Sequence, residues 1–370
     1  MENNNTLQCD TQFQTALSFD DVLLVPQGTS IRSRTEIDLT TKISDKLTLD
    51  MPLITTKMDT ITGVDMATKI GKLGGMGILP RFDKEDIQAE NVAKVKQNNV
   101  VVGAAIGCTG DYLKRAEMLV NAGVDVLNTD VAHGHLQINI DAIKTLKEKY
   151  GNKITIIGGI CATYECAVAM YENGADMVSV GIGGGSICTT RIQTGCGLPT
   201  FQSLLEVARA ARKYNKTFQP EAGIRNSGDI VKSLATGASA IMGGSIFAGT
   251  DECPGSVISI DGVLYKEYSG SASEKEKQRQ VNKDSNGKGK MYIKHVEGVA
   301  GIKPYRGPVE DVVISLLAGV RSGMSYCGAK NLQELWENAR FVRITSAGGV
   351  ESNHHDIIVQ KDHIVGKALL

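Results

Sequence analysis

Short apolar runs alternate with amphipathic segments along most of this chain, and this alternation constrains the fold more than any other feature. The eight runs occupy residues 52–56, 75–79, 100–105, 124–128, 154–157, 177–180, 217–219 and 240–242. Near-continuous apolar character predicts strands buried on both faces, as in a parallel sheet. Helical spacing occupies residues 111–122, 136–150, 163–173, 201–214 and 227–236. Several of these segments end in Gly or Asn, as helix C-termini do.

Eight strand–helix units at this spacing predict a (β/α)8 TIM barrel of the α/β class. We expect residues 1–370 to form a single catalytic barrel domain with a mobile flap at about 269–306 and a C-terminal tail. Two further helices are predicted over 312–321 and 331–339. An open, doubly wound sheet is the structural alternative. It is weakened because no G-x-G-x-x-G follows the first predicted strand.

Charge and cysteine usage exclude several classes of function. The chain has 40 basic and 41 acidic residues, a net charge of −1, which argues against nucleic acid or a membrane surface as partner. Its eight cysteines include no C-x-x-C pair, so zinc is not expected. The polar segment 1–15 lacks an apolar leader, and the cysteines are expected to be free thiols. We therefore expect a cytoplasmic protein.

A glycine-rich stretch follows the sixth predicted strand. Three glycines, Gly183 to Gly185, lead into Ser186 and then Cys188. Glycines permit positive φ and a close approach to a ligand, and a stabilised thiolate is a nucleophile. These residues alone favour a tight turn followed by a small buried cysteine, because isolated motifs of this kind often match by chance. Both interpretations stay open at this level.

The barrel prediction brings the chemistry-bearing residues together, because active sites of TIM barrels lie at the C-terminal ends of the strands. The residues that follow predicted strands are Met58, Asp59, Asp130, His133, Gly159, Cys188, Glu221, Gly223, Gly244 and Ser245. Phosphate sites in barrels commonly use the loops after strands seven and eight. Gly223, Gly244 and Ser245 are therefore the expected phosphate ligands.

Two polar segments outside the predicted barrel each allow two interpretations. Residues 269–294 have scarcely an apolar side chain, which for 277–290 favours a solvated mobile loop, with a lid over the active face as the alternative. The tail from Ser346 contains His354, His355 and Asp356. An exposed polar tail is favoured over a metal site, because the ligand spacing is poor.

Taken together, separate blocks in one order resemble the inosine monophosphate dehydrogenase / GMP reductase family. The most specific blocks are 17–24, 58–60, 130–135 and 181–191, followed by 223–225, 227–229, 247–249, 268–274 and 321–324. The resemblance extends from about Leu17 to Asp356. Many family dehydrogenases insert a pair of CBS modules after the second strand. Here residues 81–97 join strands two and three directly, so no such module is expected.

The resemblance implies a role for each matching residue. Cys188 would attack C2 of a purine nucleoside monophosphate. Substrate contacts would come from Met58, Ser186, Glu221, Gly223, Gly244, Ser245, Tyr268, Gly270, Ser271, Ala272 and Glu297. The nicotinamide cofactor would meet Asp130, Val131, Ala132 and Gly159. A monovalent cation, potassium, would bind carbonyls of Gly183, Gly185 and Cys188 together with Glu351, Ser352 and Asn353 of a neighbouring subunit, which implies a homotetramer.

The two branches of the family differ after the shared covalent step. A dehydrogenase oxidises IMP with NAD and hydrolyses the adduct with an Arg-Tyr pair on its flap. A reductase converts GMP to IMP and ammonia with NADPH, using a threonine and a glutamate. Residues 270–274 read Gly-Ser-Ala-Ser-Glu, as in some reductases, and the flap contains no Arg-Tyr. GMP reduction with Thr190 and Glu274 as the acid/base pair is therefore the favoured interpretation. IMP dehydrogenase is the alternative, supported by Glu351 and the 296–301 segment.

Three departures from the family pattern leave the nucleotide open. Lys57 stands where Ala, Pro or Asn is usual, and Gly159 where Asn is usual. Glu221 replaces an Asp that holds the ribose hydroxyls. A paralogue that acts on a modified or deoxy nucleotide, or only binds one, is therefore a further hypothesis.

Overall fold

The computed structural model describes residues 14–151, 153–283 and 296–357. The strands are Val22–Leu24 (β1), Thr41–Ser44 (β2), Leu47–Leu49 (β3), Leu53–Thr55 (β4), Met76–Leu79 (β5), Val102–Ile106 (β6), Val126–Thr129 (β7), Thr155–Cys161 (β8), Met177–Val180 (β9), Thr217–Pro220 (β10), Ile241–Gly243 (β11), Ile258–Ile260 (β12), Val263–Ser269 (β13), Ala300–Pro304 (β14) and Phe341–Arg343 (β15). The α-helices are Val64–Lys72 (α1), Glu85–Lys96 (α2), Tyr112–Asn121 (α3), Gln137–Tyr150 (α4), Tyr164–Glu172 (α5), Thr190–Thr194 (α6), Thr200–Tyr214 (α7), Ser227–Ala235 (α8), Glu274–Lys283 (α9), Val309–Tyr326 (α10), Leu332–Asn338 (α11) and Ser346–Glu351 (α12).

The predicted barrel is confirmed. Strands β4 to β11 form one parallel sheet in the order β10-β9-β8-β7-β6-β5-β4-β11. The two ends of this order meet, because Ser239 before β11 donates its amide to the carbonyl of Phe218 in β10 at 3.0 Å. All eight apolar runs predicted as strands are barrel strands. Between β5 and β6 lies only α2, so no further module is inserted at that point.

Two cores sit on the two faces of this sheet. Inward-facing side chains such as Ile54, Ile78 and Met242 fill the barrel, while a larger cluster that includes Phe201 and Phe247 packs the helices against its outer surface. This double burial explains why the strands are apolar runs without polar alternation.

The hairpin β2–β3 covers the N-terminal end of the barrel. Thr41 Oγ1 donates to the carbonyl of Ser239 at 2.5 Å, and the hydroxyls of Ser44 and Thr155 are 2.7 Å apart. Ile43 and Leu49 of the hairpin join the interior cluster. With this end covered, the C-terminal ends of the strands carry the cavity described below.

The polar segment after β11 is more ordered than its composition indicates. Strands β12, β13 and β14 form an antiparallel sheet, and residues 274–283 form helix α9. Within the predicted loop 277–290, residues 277–283 are therefore helical, while residues 284–295 lie outside the described part. Ser273 starts α9, since its side chain accepts the amide of Glu276 at 3.3 Å and its carbonyl accepts the amide of Lys277 at 2.9 Å. Glu276 and Lys277 are buried.

The segments that flank the barrel are fixed to it by aromatic packing and ion pairs. Phe201 in α7 packs edge-on against Phe19 and against Phe341, with ring centroids 5.7 and 5.1 Å away. Strand β1 pairs with β15, which joins the two segments. In the described part of the chain, no helix has the length and apolarity needed to cross a membrane.

Candidate active site

A cavity of about 500 Å³ opens at the C-terminal ends of the barrel strands. Every residue that the sequence assigned to substrate binding lines it: Met58, Ser186, Glu221, Gly223, Gly244, Ser245, Tyr268, Gly270, Ser271, Ala272 and Glu297. Cys188 and Thr190 also line it. These residues come from distant positions of the chain, so the fold assembles one pocket from the residues that sequence reasoning selected.

Cys188, Thr190 and Glu297 form a hydrogen-bonded chain in this cavity. The Cys188 Sγ lies 3.1 Å from the Thr190 Oγ1, and the Thr190 hydroxyl donates to the Glu297 Oε2 at 2.7 Å. With its proton directed at the carboxylate, the Thr190 oxygen can accept the thiol proton of Cys188. This arrangement offers a proton path from the thiol to a carboxylate, which is how a hydroxyl or thiol nucleophile is activated.

Backbone pairing holds Glu297 in place. Its amide donates to the carbonyl of Ala272 at 3.2 Å, and its carbonyl accepts the amide of Thr189 at 3.1 Å. The next residue, Gly298, forms bridges to both Cys188 and Ser273. Residues 297–298 therefore lie between the cysteine loop and the start of α9, and they fix the carboxylate against Thr190.

Glu274, the glutamate expected to work with Thr190, is placed elsewhere. It is exposed in the first turn of α9 and does not line the cavity. The carboxylate in contact with Thr190 belongs to Glu297, which the sequence assigned to substrate binding. Glu274 does not contact Thr190 because it lies in the first turn of α9, with its side chain on the exposed surface of that helix.

The glycines before Cys188 meet specific steric demands. Gly183 has φ of 77°, and a Cβ there would contact the side chain of Arg191. The Arg191 guanidinium donates to the carbonyls of Ile182 at 3.1 Å and of Leu198 at 2.5 Å. Arg191 thus fills the space beneath the loop and holds it in the conformation that presents Cys188.

A second group of residues builds the expected phosphate corner. Gly223 has φ of 80°, and a Cβ at Gly244 would lie 3.4 Å from the Tyr268 hydroxyl. That hydroxyl is 3.5 Å from the Ser186 Oγ, and burial raises the pKa of Tyr268, which keeps it protonated as a donor. Backbone and hydroxyl groups of this kind suit a phosphate.

A row of four charged side chains, of which Lys57 and Glu221 are buried, lies at the cavity wall next to this corner. Lys57 forms an ion pair with Glu221, and its Nζ lies 3.8 Å from the Asp130 Oδ1. Arg81 donates to the other oxygen of Asp130 at 2.9 Å. The four side chains form a continuous row of alternating charge, so each charge is balanced by a neighbour.

Comparison with known proteins identifies the family. The model of the IMP dehydrogenase / GMP reductase domain matches residues 16–355. This chain belongs to that family. Curated relatives named inosine-5'-monophosphate dehydrogenase include those of Bacillus subtilis, 40% identical over 88% of this chain and 68% of the relative, and Aquifex aeolicus, 42% identical over 82% and 61%. That of Cryptosporidium parvum is 37% identical over 94% of this chain and 96% of the relative.

Only two of the four residues expected to hold the family's nicotinamide cofactor line the cavity. Asp130 and Ala132 line the cavity, whereas Gly159 is buried within β8. Val131 lies outside the lining, and its carbonyl accepts the amide of Ile160 at 2.8 Å. Ile160 itself lines the cavity. A carboxylate fixed by Arg81 beside apolar side chains fits a cofactor that carries both hydroxyls and a flat ring.

The expected potassium site combines the cysteine loop of one chain with the tail of a neighbouring subunit. The structure of one chain shows the loop and the tail at two separate places. Gly183 and Gly185 line the cavity, and the Gly185 carbonyl accepts the amide of Cys188 at 3.1 Å. Glu351 ends α12, and the exposed Ser352 and Asn353 follow it. Among the described residues no group of three or more His, Cys, Asp or Glu side chains could hold a metal ion. The cation therefore stays a prediction that rests on carbonyl oxygens.

Sequence reasoning missed three residues that shape the site. Thr200 packs against Gly184 and Gly223 and so separates the two glycine loops. Arg225 binds Asp20 at 2.5 Å and Asp229 at 2.9 Å, which ties the loop after β10 to the segment before β1. Arg81 could have been found, because it follows closely on the second predicted strand, where the strand-end rule applies.

Proposed function

We propose that this chain oxidises a purine nucleoside monophosphate at C2 through a covalent adduct on Cys188, with IMP as substrate, XMP as product and NAD as oxidant. The observation that carries the proposal is the hydrogen-bonded chain from Cys188 through Thr190 to Glu297. The names of the curated relatives support the dehydrogenase direction over the reductase direction that the 270–274 motif favours.

The chemistry begins at the thiol. Cys188 gives its proton through Thr190 to Glu297, the thiolate adds to C2 of the base, and Glu297 passes that proton to N3, which becomes basic on addition, so that the carboxylate is free again. A nicotinamide cofactor held near Asp130 and Ala132 would supply the acceptor for the hydride that C2 loses. A water attacks C2 of the resulting thioimidate and displaces Cys188, whose thiolate takes up one proton of that water. Thr190 and Glu297 take the other proton of that water, because residues 269–296 contain no Arg-Tyr pair to do so.

The other cavity residues position the substrate and the cofactor. Tyr268, Ser186 and the amides near Gly223 and Gly244 hold the phosphate, and Gly270 to Ala272 lie beside the base. Asp130 and Ala132 meet the cofactor. We also propose the potassium site and the homotetramer that the family resemblance implies, with Glu351 to Asn353 from a neighbouring subunit.

Reductive deamination of GMP with NADPH is the second candidate. It is supported by the Gly-Ser-Ala-Ser-Glu motif at 270–274 and by the missing Arg-Tyr pair. In the reductase reaction Glu297 and Thr190 would protonate the amino group that leaves C2 as ammonia, and the reduced cofactor would supply the hydride that C2 receives.

One experiment separates the two candidates. The protein is incubated with IMP and NAD, with IMP and NADP, with GMP and NADPH, and with GMP and NADH. Absorbance at the reduced-nicotinamide band and ammonia are followed. Formation of reduced cofactor with IMP supports the dehydrogenase. Consumption of reduced cofactor with stoichiometric ammonia from GMP, and no reaction of IMP, would reject it in favour of the reductase.

A further inference from the structure

The buried ion pair between Lys57 and Glu221 changes what the cavity can offer to a sugar. The Lys57 side chain is 3% exposed and that of Glu221 is 8% exposed, and both residues line the cavity. Lys57 engages the Glu221 Oε1. The Glu221 Oε2 is enclosed by protein and has no hydrogen-bond partner in the structure. One carboxylate oxygen is therefore held by Lys57, and the other, although unpaired, is covered from the cavity by protein.

Glu221 lies where a nucleotide's sugar must pass. It stands two residues before Gly223, which belongs to the phosphate corner, and in the proposed reaction the base lies against Cys188, which lines the same cavity. A 5'-phosphate is joined to its sugar through a single ester oxygen and one carbon. A nucleotide that spans from the phosphate corner to Cys188 therefore places its ribose beside Glu221.

The neighbouring carboxylate is engaged as well. Asp130 gives its Oδ2 to Arg81 at 2.9 Å, and its Oδ1 faces Lys57 at 3.8 Å. Proteins commonly select ribose with a carboxylate that accepts from the 2'-hydroxyl. A hydrogen bond to a charged group contributes about 1.5–3 kcal/mol, which corresponds to about 10- to 150-fold in affinity. Here Lys57 holds Glu221, the carboxylate beside the expected sugar, whereas Asp130 keeps its Oδ1, 3.8 Å from Lys57, for the expected cofactor.

We propose that the Lys57–Glu221 pair removes ribose recognition from this site, so that the enzyme accepts 2'-deoxyribonucleoside monophosphates about as well as ribonucleotides. The inference rests on the proposed function for the identity of the ligand. It concerns the sugar, however, and not the direction of the redox step, so it holds equally for an oxidised or a reduced base.

The test compares IMP with dIMP, and GMP with dGMP, in both turnover and equilibrium binding. We expect kcat/KM and Kd to differ by less than about fivefold between the two sugars, less than one charged hydrogen bond would give. A ribonucleotide preference above about 30-fold would overturn the proposal. Such a preference would mean that Glu221 or Asp130 reads the 2'-hydroxyl despite its cation.

Two variants locate the effect. In Lys57→Met the carboxylate of Glu221 is released, and the ribonucleotide preference should rise by about 10-fold or more. In Glu221→Ala the carboxylate beside the sugar is removed and only Asp130 remains at this wall, so the preference should stay near one even if both sugars bind more weakly. An unchanged preference in a folded Lys57→Met protein, or a loss in Glu221→Ala confined to the ribonucleotides, would contradict the role of the pair.

Lys147→Met is the matched control. It removes a lysine 2.8 Å from the buried Asp176, which precedes β9 and so lies at the opposite end of the barrel. Its sugar preference should equal that of the parent protein. If nucleotides bind but none is turned over, the proposed function fails while the ratio of Kd values still decides this inference. Failure of every nucleotide to bind would overturn both.

Discussion

Replacing Glu297 with Gln tests the catalytic chain most directly. The amide retains the size of the side chain and can still accept the Thr190 hydroxyl at 2.7 Å, but it cannot take up a proton. A positioned general base contributes about 10²–10⁴-fold. We therefore expect kcat/KM to fall by about that factor, which corresponds to about 2.7–5.4 kcal/mol of activation free energy.

The assay pairs this variant with Glu274→Gln. Initial rates are measured with IMP and NAD and with GMP and NADPH, and intact mass reports the covalent adduct on Cys188. Because Glu274 is exposed and Glu297 touches Thr190, the loss should fall on Glu297→Gln. Full activity of Glu297→Gln together with a large loss in Glu274→Gln would refute the assignment and restore the one based on the 270–274 motif.

The remaining predictions concern the nucleophile and the attachment of the flanking segments. Cys188→Ala should form no adduct by intact mass while still binding the nucleotide, and turnover in this variant would exclude covalent catalysis at Cys188. Phe201→Ala should lower the free energy of unfolding by about 3–5 kcal/mol, measured by urea titration, because its ring is buried between Phe19 and Phe341; a loss below about 1 kcal/mol would contradict that packing. The hydrogen bond from Arg225 holds the pKa of Asp20 below its usual range, so the ion pair should stabilise the fold above about pH 4 and lose its effect as the pH falls through the lowered pKa. The difference in urea midpoint between the parent and Asp20→Asn should be small, because both side chains are partly exposed, and it should vanish in acid; a difference that grows in acid would reverse the sign of this argument.

The barrel could be predicted from sequence because its strands are buried on both faces. Such strands can be recognised without knowing which strands they pair with. Each is an apolar run between amphipathic helical segments, and the chain repeats that pattern eight times. The strand-end rule then placed Met58, Glu221 and Cys188 in one cavity without any knowledge of contacts. Helix α9 was harder to predict, because Glu276 and Lys277 are buried among those of its residues whose burial is described, and a polar composition normally indicates solvated chain.

The role of Glu297 could not be found in the same way. Its contact with Thr190 depends on the pairing of Gly298 with Cys188 and with Ser273, which joins three segments far apart in sequence. A local motif instead selects the glutamate nearest to the matching block, which is Glu274. The structure favours Glu297 for this proposed role, because Glu274 is exposed at the start of α9 while Glu297, which lies before β14, contacts Thr190.

The two departures at Lys57 and Glu221 show a different relation between sequence and structure. Taken one at a time, each looks harmful: a lysine added to a cavity wall, and a carboxylate lengthened by one methylene. In the fold they meet, and each balances the charge that the other buries. A buried charge left alone is strongly destabilising, so either residue without its partner would be costly. We therefore interpret Lys57 and Glu221 as one unit. Together they keep both buried charges paired, and together they change which groups of a ligand this wall can bind. Under the two proposals made above, Cys188 and Thr190 match the family pattern while the Lys57–Glu221 wall departs from it, which is why we expect the family's covalent chemistry with a relaxed choice of sugar.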